Sequence, residues 1–118
     1  MTIIVNHTGL PADRSVEGLR AWRTALAELA GCANVRLKIS GIGERGVRWS
    51  VERNGPVVWD AIEIFGVERC MFASNFPVDS VVVKLDTLFA GFKSMVADLK
   101  PLQRLALFHD NATTLYGL

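Results

Sequence analysis

Glu68-Arg-Cys-Met-Phe-Ala-Ser-Asn-Phe-Pro-Val-Asp79 changes character halfway along. Arg69–Ala73 is a short apolar run led in by the turn Gly66-Val-Glu68, and it reads as a buried strand. The run stops at Ser74-Asn75, and Pro77 has no N–H with which to extend a ladder. Polar side chains therefore stand at the C-terminal tip of a buried strand. In parallel α/β sheets the loops leaving those tips enclose the open crevice, and ligands bind there.

The same pattern occurs twice upstream. Thr2–Asn6 is β-branched and almost wholly apolar, and it ends in His7-Thr-Gly-Leu-Pro11, where Gly9 and Pro11 force a turn. Asn34–Ser40 alternates Val35, Leu37 and Ile39 with Arg36 and Lys38, then stops at Gly41. Between these strands Val16, Leu19, Trp22, Leu26 and Leu29 recur at helical spacing, from a cap at Asp13 or Ser15 to a stop at Gly31. Pro56 fits the first position of a second helix that buries Val58, Ala61, Ile62 and Phe65, which leaves Gly41–Gly55 as a long loop. Ser80 is expected to cap a third helix running to Leu99, and Pro101 to start a last one ending near His109. The order β-α-β-α-β-α-α predicts an α/β fold with a parallel sheet and right-handed crossovers. Gly41-Ile-Gly-Glu-Arg-Gly46 matches the dinucleotide pattern GxGxxG in letters only, because no helical pattern follows it directly.

Composition narrows the function classes. The 118 residues are 50% hydrophobic and 21% charged, with a formal net charge of +1, which predicts one small folded domain. Dispersed charge of both signs argues against a nucleic-acid or membrane binder. The opening residues lack a positive leader, and no uncharged span reaches the roughly 18–20 residues of a transmembrane helix. Cys32 and Cys70, far apart and without a CxxC, read as buried free thiols, so a cytoplasmic location is expected.

Arg69–Asp79 resembles the last-strand signature of the amidohydrolase family of TIM-barrel hydrolases, in its branch of metal-dependent hydrolases and lactonases. Ser74, Phe76 and Pro77 match that signature, Ala73 replaces a glycine, and Asn75 stands where the family commonly has a catalytic or metal-binding Asp. Val5-Asn-His-Thr-Gly-Leu-Pro11 is similar to the family's His-x-Gly strand end. Asn34-Val-Arg-Leu-Lys-Ile-Ser-Gly41 looks like its Asn-Val-x-x-Lys strand, and Asn111-Ala112 with Leu115-Tyr116 resembles its closing motif. The motifs come in family order but match only the C-terminal part of the pattern. A whole barrel needs about 250 residues. The resemblance therefore implies a partial (β/α)8 barrel, about the last three strand–helix units, with residues 1–118 as a single incomplete domain. A strand that begins at Met1 with no leading cap points the same way, to a piece of something larger.

What the resemblance implies about function is a hydrolase that attacks a small lactone or related carboxylated ring with activated water. His7 would be the residue that binds a divalent metal, zinc or manganese, or positions the substrate. No metal is expected to bind this chain alone tightly. Asn75 either orients a substrate oxygen or merely turns the chain before Pro77, and Asp79 either supplies the missing carboxylate or caps a helix. Strand geometry predicts that His7, Ser40 and Asn75 line one mouth, with Arg45, Arg48 and Trp49 in the loop above as substrate-binding residues and Arg53 as a further carboxylate clamp. A catalytically inactive remnant and a flavodoxin-like binding module are the competing readings. The module would need a phosphate loop after its first strand, and His7–Pro11 is a poor one. Exposed sheet edges predict association, as a homodimer or otherwise.

Overall fold

The computed structural model describes residues 1–118. β1 (Ile3–Val5), β2 (Val35–Ile39) and β3 (Cys70–Phe72) form a parallel sheet in the order β1-β2-β3. Val5 is in register with Leu37, and Leu37 with Cys70, so the C-terminal tips of all three strands lie along one edge. Each strand is one residue shorter at either end than the sequence predicts.

Three helices cover one face of the sheet. α1 (Val16–Ala30) starts where Ser15 Oγ accepts from Gly18 N, which settles the cap between Asp13 and Ser15. α2 (Val51–Phe65) starts earlier than expected, because Ser50 caps it by accepting from Arg53 N. Pro56 thus lies inside the helix, and the loop before it shrinks to Gly41–Ser50. α3 (Leu85–Met95) also departs from expectation. Ser80 is taken up by a 3-10 turn, Val78–Val81, Lys84 stands at the N-cap without a side-chain bond, and the helix ends well before Leu99. Leu37, Ile39, Val58, Ala61 and Phe92 are fully buried in the resulting core, and Phe72 stacks on Phe92 with centroids 4.3 Å apart. Burying such side chains is the main source of stability, about 1.5–3 kcal/mol for each large one.

The chain ends in one rod built from α4 (Pro101–Leu105), a π turn (Ala106–Asp110) and α5 (Asn111–Tyr116). The wide turn buries Leu107 and turns Asn111 so that its Nδ2 donates to Val67 O and Cys70 O, both at 2.7 Å. Tyr116 then lies 5.5 Å from the ammonium of Lys38, which by strand alternation belongs to the face opposite Leu37 and Ile39. Arg69 ties the other end of the sheet together by donating to Phe65 O and Ala30 O, the last residues of α2 and α1, and to Cys32 O in the turn after α1. Of the two cysteines only Cys32 departs from expectation. Cys70 is buried, and burial pushes its thiol up to about 12, whereas Cys32 is exposed in the turn before β2. No helix is long and apolar enough to cross a membrane.

Candidate functional site

At the tip of β1 the backbone makes a strained hook. His7, Thr8 and Leu10 have φ of 52°, 57° and 55°, the left-handed region that side-chain-bearing residues avoid. Each costs roughly 1–3 kcal/mol and persists only where surrounding bonds hold it. Thr8 is one source of that restraint. It is fully buried, its Oγ1 donates to Ser40 O at 3.0 Å and accepts from Ser40 N at 3.1 Å, and its carbonyl accepts from Trp22 Nε1 at 2.8 Å. A threonine side chain thus continues the β1–β2 ladder past its last backbone bond.

This hook brings His7 and Ser40 together. His7 Nδ1 lies 3.0 Å from Ser40 Oγ, across the tips of adjacent strands. The ring lies against Gly41, where φ is +63° and a Cβ would come within 2.9 Å of three His7 atoms. Ser40 is only 1% exposed, so it meets the mouth through His7. The other imidazole nitrogen, Nε2, has no protein partner and reaches solvent.

Asn75 stands at the tip of β3, on the same edge of the sheet, but bonds to neither His7 nor Ser40. Its φ is 56°, its carbonyl accepts from Asp79 N, and its Nδ2 donates to Asp79 Oδ1 at 2.9 Å. A carboxylate only accepts, which fixes the amide with nitrogen toward Asp79 and leaves Oδ1 as the free acceptor. Asp79 lies in the 3-10 turn and does not cap α3.

The loop after β2 divides its arginines. Arg45 and Arg48 are exposed and pair with no carboxylate of the chain. Arg53 is committed: its Nε and Nη2 donate to the two oxygens of Glu44 at 2.8 and 3.1 Å. Trp49 packs in the core, 8% exposed and edge-on to Phe92, where the sequence predicts a pocket wall, and its Nε1 has no partner. Arg14, which no local sequence motif marks, joins the loops. Its guanidinium donates to Pro11 O, Ile42 O and Asn54 Oδ1, lies 3.7 Å from Glu44, and its side chain is 6% exposed.

Glu44 gives this corner a pH dependence. Hydrogen bonds from Arg53, opposed by burial and helped by the charge of Arg14, hold its carboxyl below the ordinary 4.5. A carboxylate held lower in the folded state adds stability above its unfolded value and loses it as pH falls through the folded one. Stability should therefore drop in the acid range, and Glu44→Gln should flatten that limb in urea unfolding followed against pH. An unchanged acid limb would show that the Arg53 pair contributes nothing.

A metal finds little here. No three His, Cys, Asp or Glu side chains converge, and the mouth offers one imidazole and an amide oxygen, which do not fit a site of three or more ligands. Zinc should bind the chain weakly in a calorimetric titration. Asn75→Asp would set a second carboxylate against Asp79 and should raise that affinity if the two groups face the mouth. Equal affinity in both proteins would remove Asn75 from any ligand role.

Comparison with known proteins agrees with this architecture. The amidohydrolase family model matches residues 1–118. A Sinorhizobium fredii protein described as uncharacterised is 45% identical over 114 residues, covering 97% of this chain and 38% of its own length. An L-fucono-1,5-lactonase of Burkholderia multivorans is 32% identical over 127 residues, covering 98% of this chain and 43% of its own. A crystal structure of a Burkholderia multivorans amidohydrolase with bound HEPES superposes with a TM-score of 0.88 at 28% identity, over 99% of this chain and 45% of that one. A second crystal form with bound zinc gives the same TM-score. The chain spans 38% and 43% of the length of these two curated relatives. With the motifs at three strand tips and a family match from first residue to last, the chain belongs to the amidohydrolase family.

Proposed function

We propose that residues 1–118 are the C-terminal part of a (β/α)8-barrel hydrolase that opens a small lactone or related carboxylated ring by attack of water. The observation that carries the reading is the common edge of the sheet, where His7, Ser40 and Asn75 end three adjacent parallel strands in a chain of this family. A lactone suits the L-fucono-1,5-lactonase relatives, and the unpaired Arg45 and Arg48 suit a carboxylate. In this reading His7 contacts the oxygen at which charge develops, and Asn75 Oδ1 accepts from a substrate hydroxyl. Neighbouring strands lie about 4.8 Å apart, so His7 and Asn75 stand about two spacings from each other, within the span of one sugar-sized ring.

A second reading is favoured by one feature. The amide of Asn75 is tied to Asp79, and no ligand cluster forms, so the isolated chain is proposed to be without turnover. A chimera separates the two. Residues 1–118 replace the matching segment of the Burkholderia multivorans lactonase, and lactone hydrolysis is followed by acid release. The hydrolase reading expects turnover that falls about 10²–10⁴-fold in His7→Ala. A folded chimera that is inactive until Asn75→Asp is introduced would support the remnant.

The free edge of β1, where Ile3 is 45% exposed, is proposed to associate with further chain, a second copy included. Sedimentation should show concentration-dependent species, and a cooperative, non-associating monomer would defeat this.

A further inference from the structure

We propose that Ser40 is a positioning residue that locks His7 as the tautomer protonated on Nε2, so that the mouth receives an N–H donor and not a bare nitrogen. The count of protons between the two groups decides the tautomer. His7 Nδ1 and Ser40 Oγ are 3.0 Å apart, and only one of them donates. Ser40 is 1% exposed, and its hydroxyl has no other partner in the fold. If Nδ1 carried the proton, the Ser40 O–H would be a buried donor without an acceptor. That form is disfavoured roughly tenfold or more by the cost of leaving a buried donor unpaired. The hydroxyl therefore donates to Nδ1, and the ring proton resides on Nε2, the nitrogen that reaches solvent.

The surroundings restrain both members of the pair. The Ser40 backbone is held in place, because Thr8 Oγ1 bonds both its N–H and its carbonyl. The imidazole cannot move toward β2, because its Cβ, Cγ and Nδ1 already lie against the bare Cα of Gly41. Nor does a carboxylate contact the ring: His7 Nδ1 bonds to Ser40 alone, and the salt bridges of the chain do not include His7.

The consequence for chemistry is specific. A neutral imidazole with Nε2–H directed outward polarises a carbonyl oxygen by hydrogen bonding as negative charge builds there, with no proton transferred. In that tautomer Nε2 has no lone pair for a cation, which agrees with the poor fit of the mouth to a metal. The inference deepens the hydrolase reading by giving His7 an electrophilic role toward a lactone carbonyl. It stands or falls on the isolated chain, where no turnover is needed, so its failure is distinguishable from failure of the chimera.

The test is nitrogen NMR of the uniformly ¹⁵N-labelled chain at mildly alkaline pH. Long-range correlations through the imidazole report which nitrogen is protonated. Only His7 and His109 contribute, and His109→Gln, at an exposed position, assigns them. The parent should show His7 with less than about a tenth of the Nδ1–H form. Ser40→Ala should raise that share several-fold while His109 stays unchanged. Ser40→Cys, of similar size but with a weak donor, should fall between them and serves where the alanine variant does not fold. A parent spectrum with the His7 proton on Nδ1 overturns the proposal. So does a folded Ser40→Ala or Ser40→Cys chain with the parent's tautomer ratio.

Discussion

Phe92→Ala should remove about 3–5 kcal/mol of stability, the cost of truncating a fully packed aromatic. Phe92 is 0% exposed and sits where three elements meet. Its ring stacks on Phe72 of β3 at 4.3 Å and meets Trp49 and Phe89 edge-on at 6.4 and 5.9 Å. Those four rings hold α3 against the sheet and against the start of α2. A domain of this size has only about 5–15 kcal/mol in hand, so the variant should lose a large share of its stability. Urea unfolding followed by circular dichroism reads the loss as a lowered midpoint with unchanged slope. A loss under about 1.5 kcal/mol, the range of volume-conserving swaps, would mean that the neighbours close over the gap and that the stack is not what holds α3.

Arg14→Ala should cost a similar amount, about 3–5 kcal/mol, by leaving buried polar groups without their partner. Two carbonyls, Pro11 O and Ile42 O, each 2.6 Å from the guanidinium, would lose their donor, and Asn54 Oδ1 would lose a third bond. Glu44 would keep Arg53 but lose the second positive charge beside it. Arg14→Lys should recover little, since one ammonium cannot reach acceptors spread around both ends of a planar fork. Because the carbonyls belong to the loops after β1 and β2, the damage should concentrate at the mouth. Amide exchange should quicken there before it does in α2 or α3. If the lysine variant matches the parent in both stability and exchange, the fork geometry is irrelevant and the residue acts through charge alone.

The two variants also mark where sequence reading works. The strands and the amphipathic faces of α1 and α2 were legible, since each is encoded within a few residues by apolar runs and by spacing. Helix starts were legible only where the cap is a side chain free to do that job. Ser15 was one of two candidates, with Asp13. Ser50 was not a candidate, because Pro56 offers a stronger local signal for a first turn, yet a proline tolerated within the helix leaves the earlier cap in force. Ser80 misled in the opposite sense, because the 3-10 turn consumes it and α3 begins at Lys84 with no side-chain bond. His7, Ser40 and Asn75 were legible as strand ends. Thr8 and Arg14 were not, because their roles depend on acceptors far along the chain: Thr8 pairs with Ser40 across 32 residues, and Arg14 reaches Ile42 and Asn54 across 28 and 40. Trp49 shows the same limit. Nothing local tells an indole in a loop whether it walls a pocket or fills the space left by a glycine, here Gly91, on another helix.

The unequal cysteines have a practical corollary. Cys32 lies in the turn that leads into β2, at the end of the sheet away from His7 and Asn75, and its side chain is open to solvent. Cys70 is wrapped in the core with its thiol held up near 12, so it stays protonated and out of reach while the fold is closed. A thiol reagent thus reads the molecule in two beats. The first, fast and independent of stability, attaches a label far from the mouth. The second waits for the sheet to open, and its rate is a clock on that opening which needs no engineered probe.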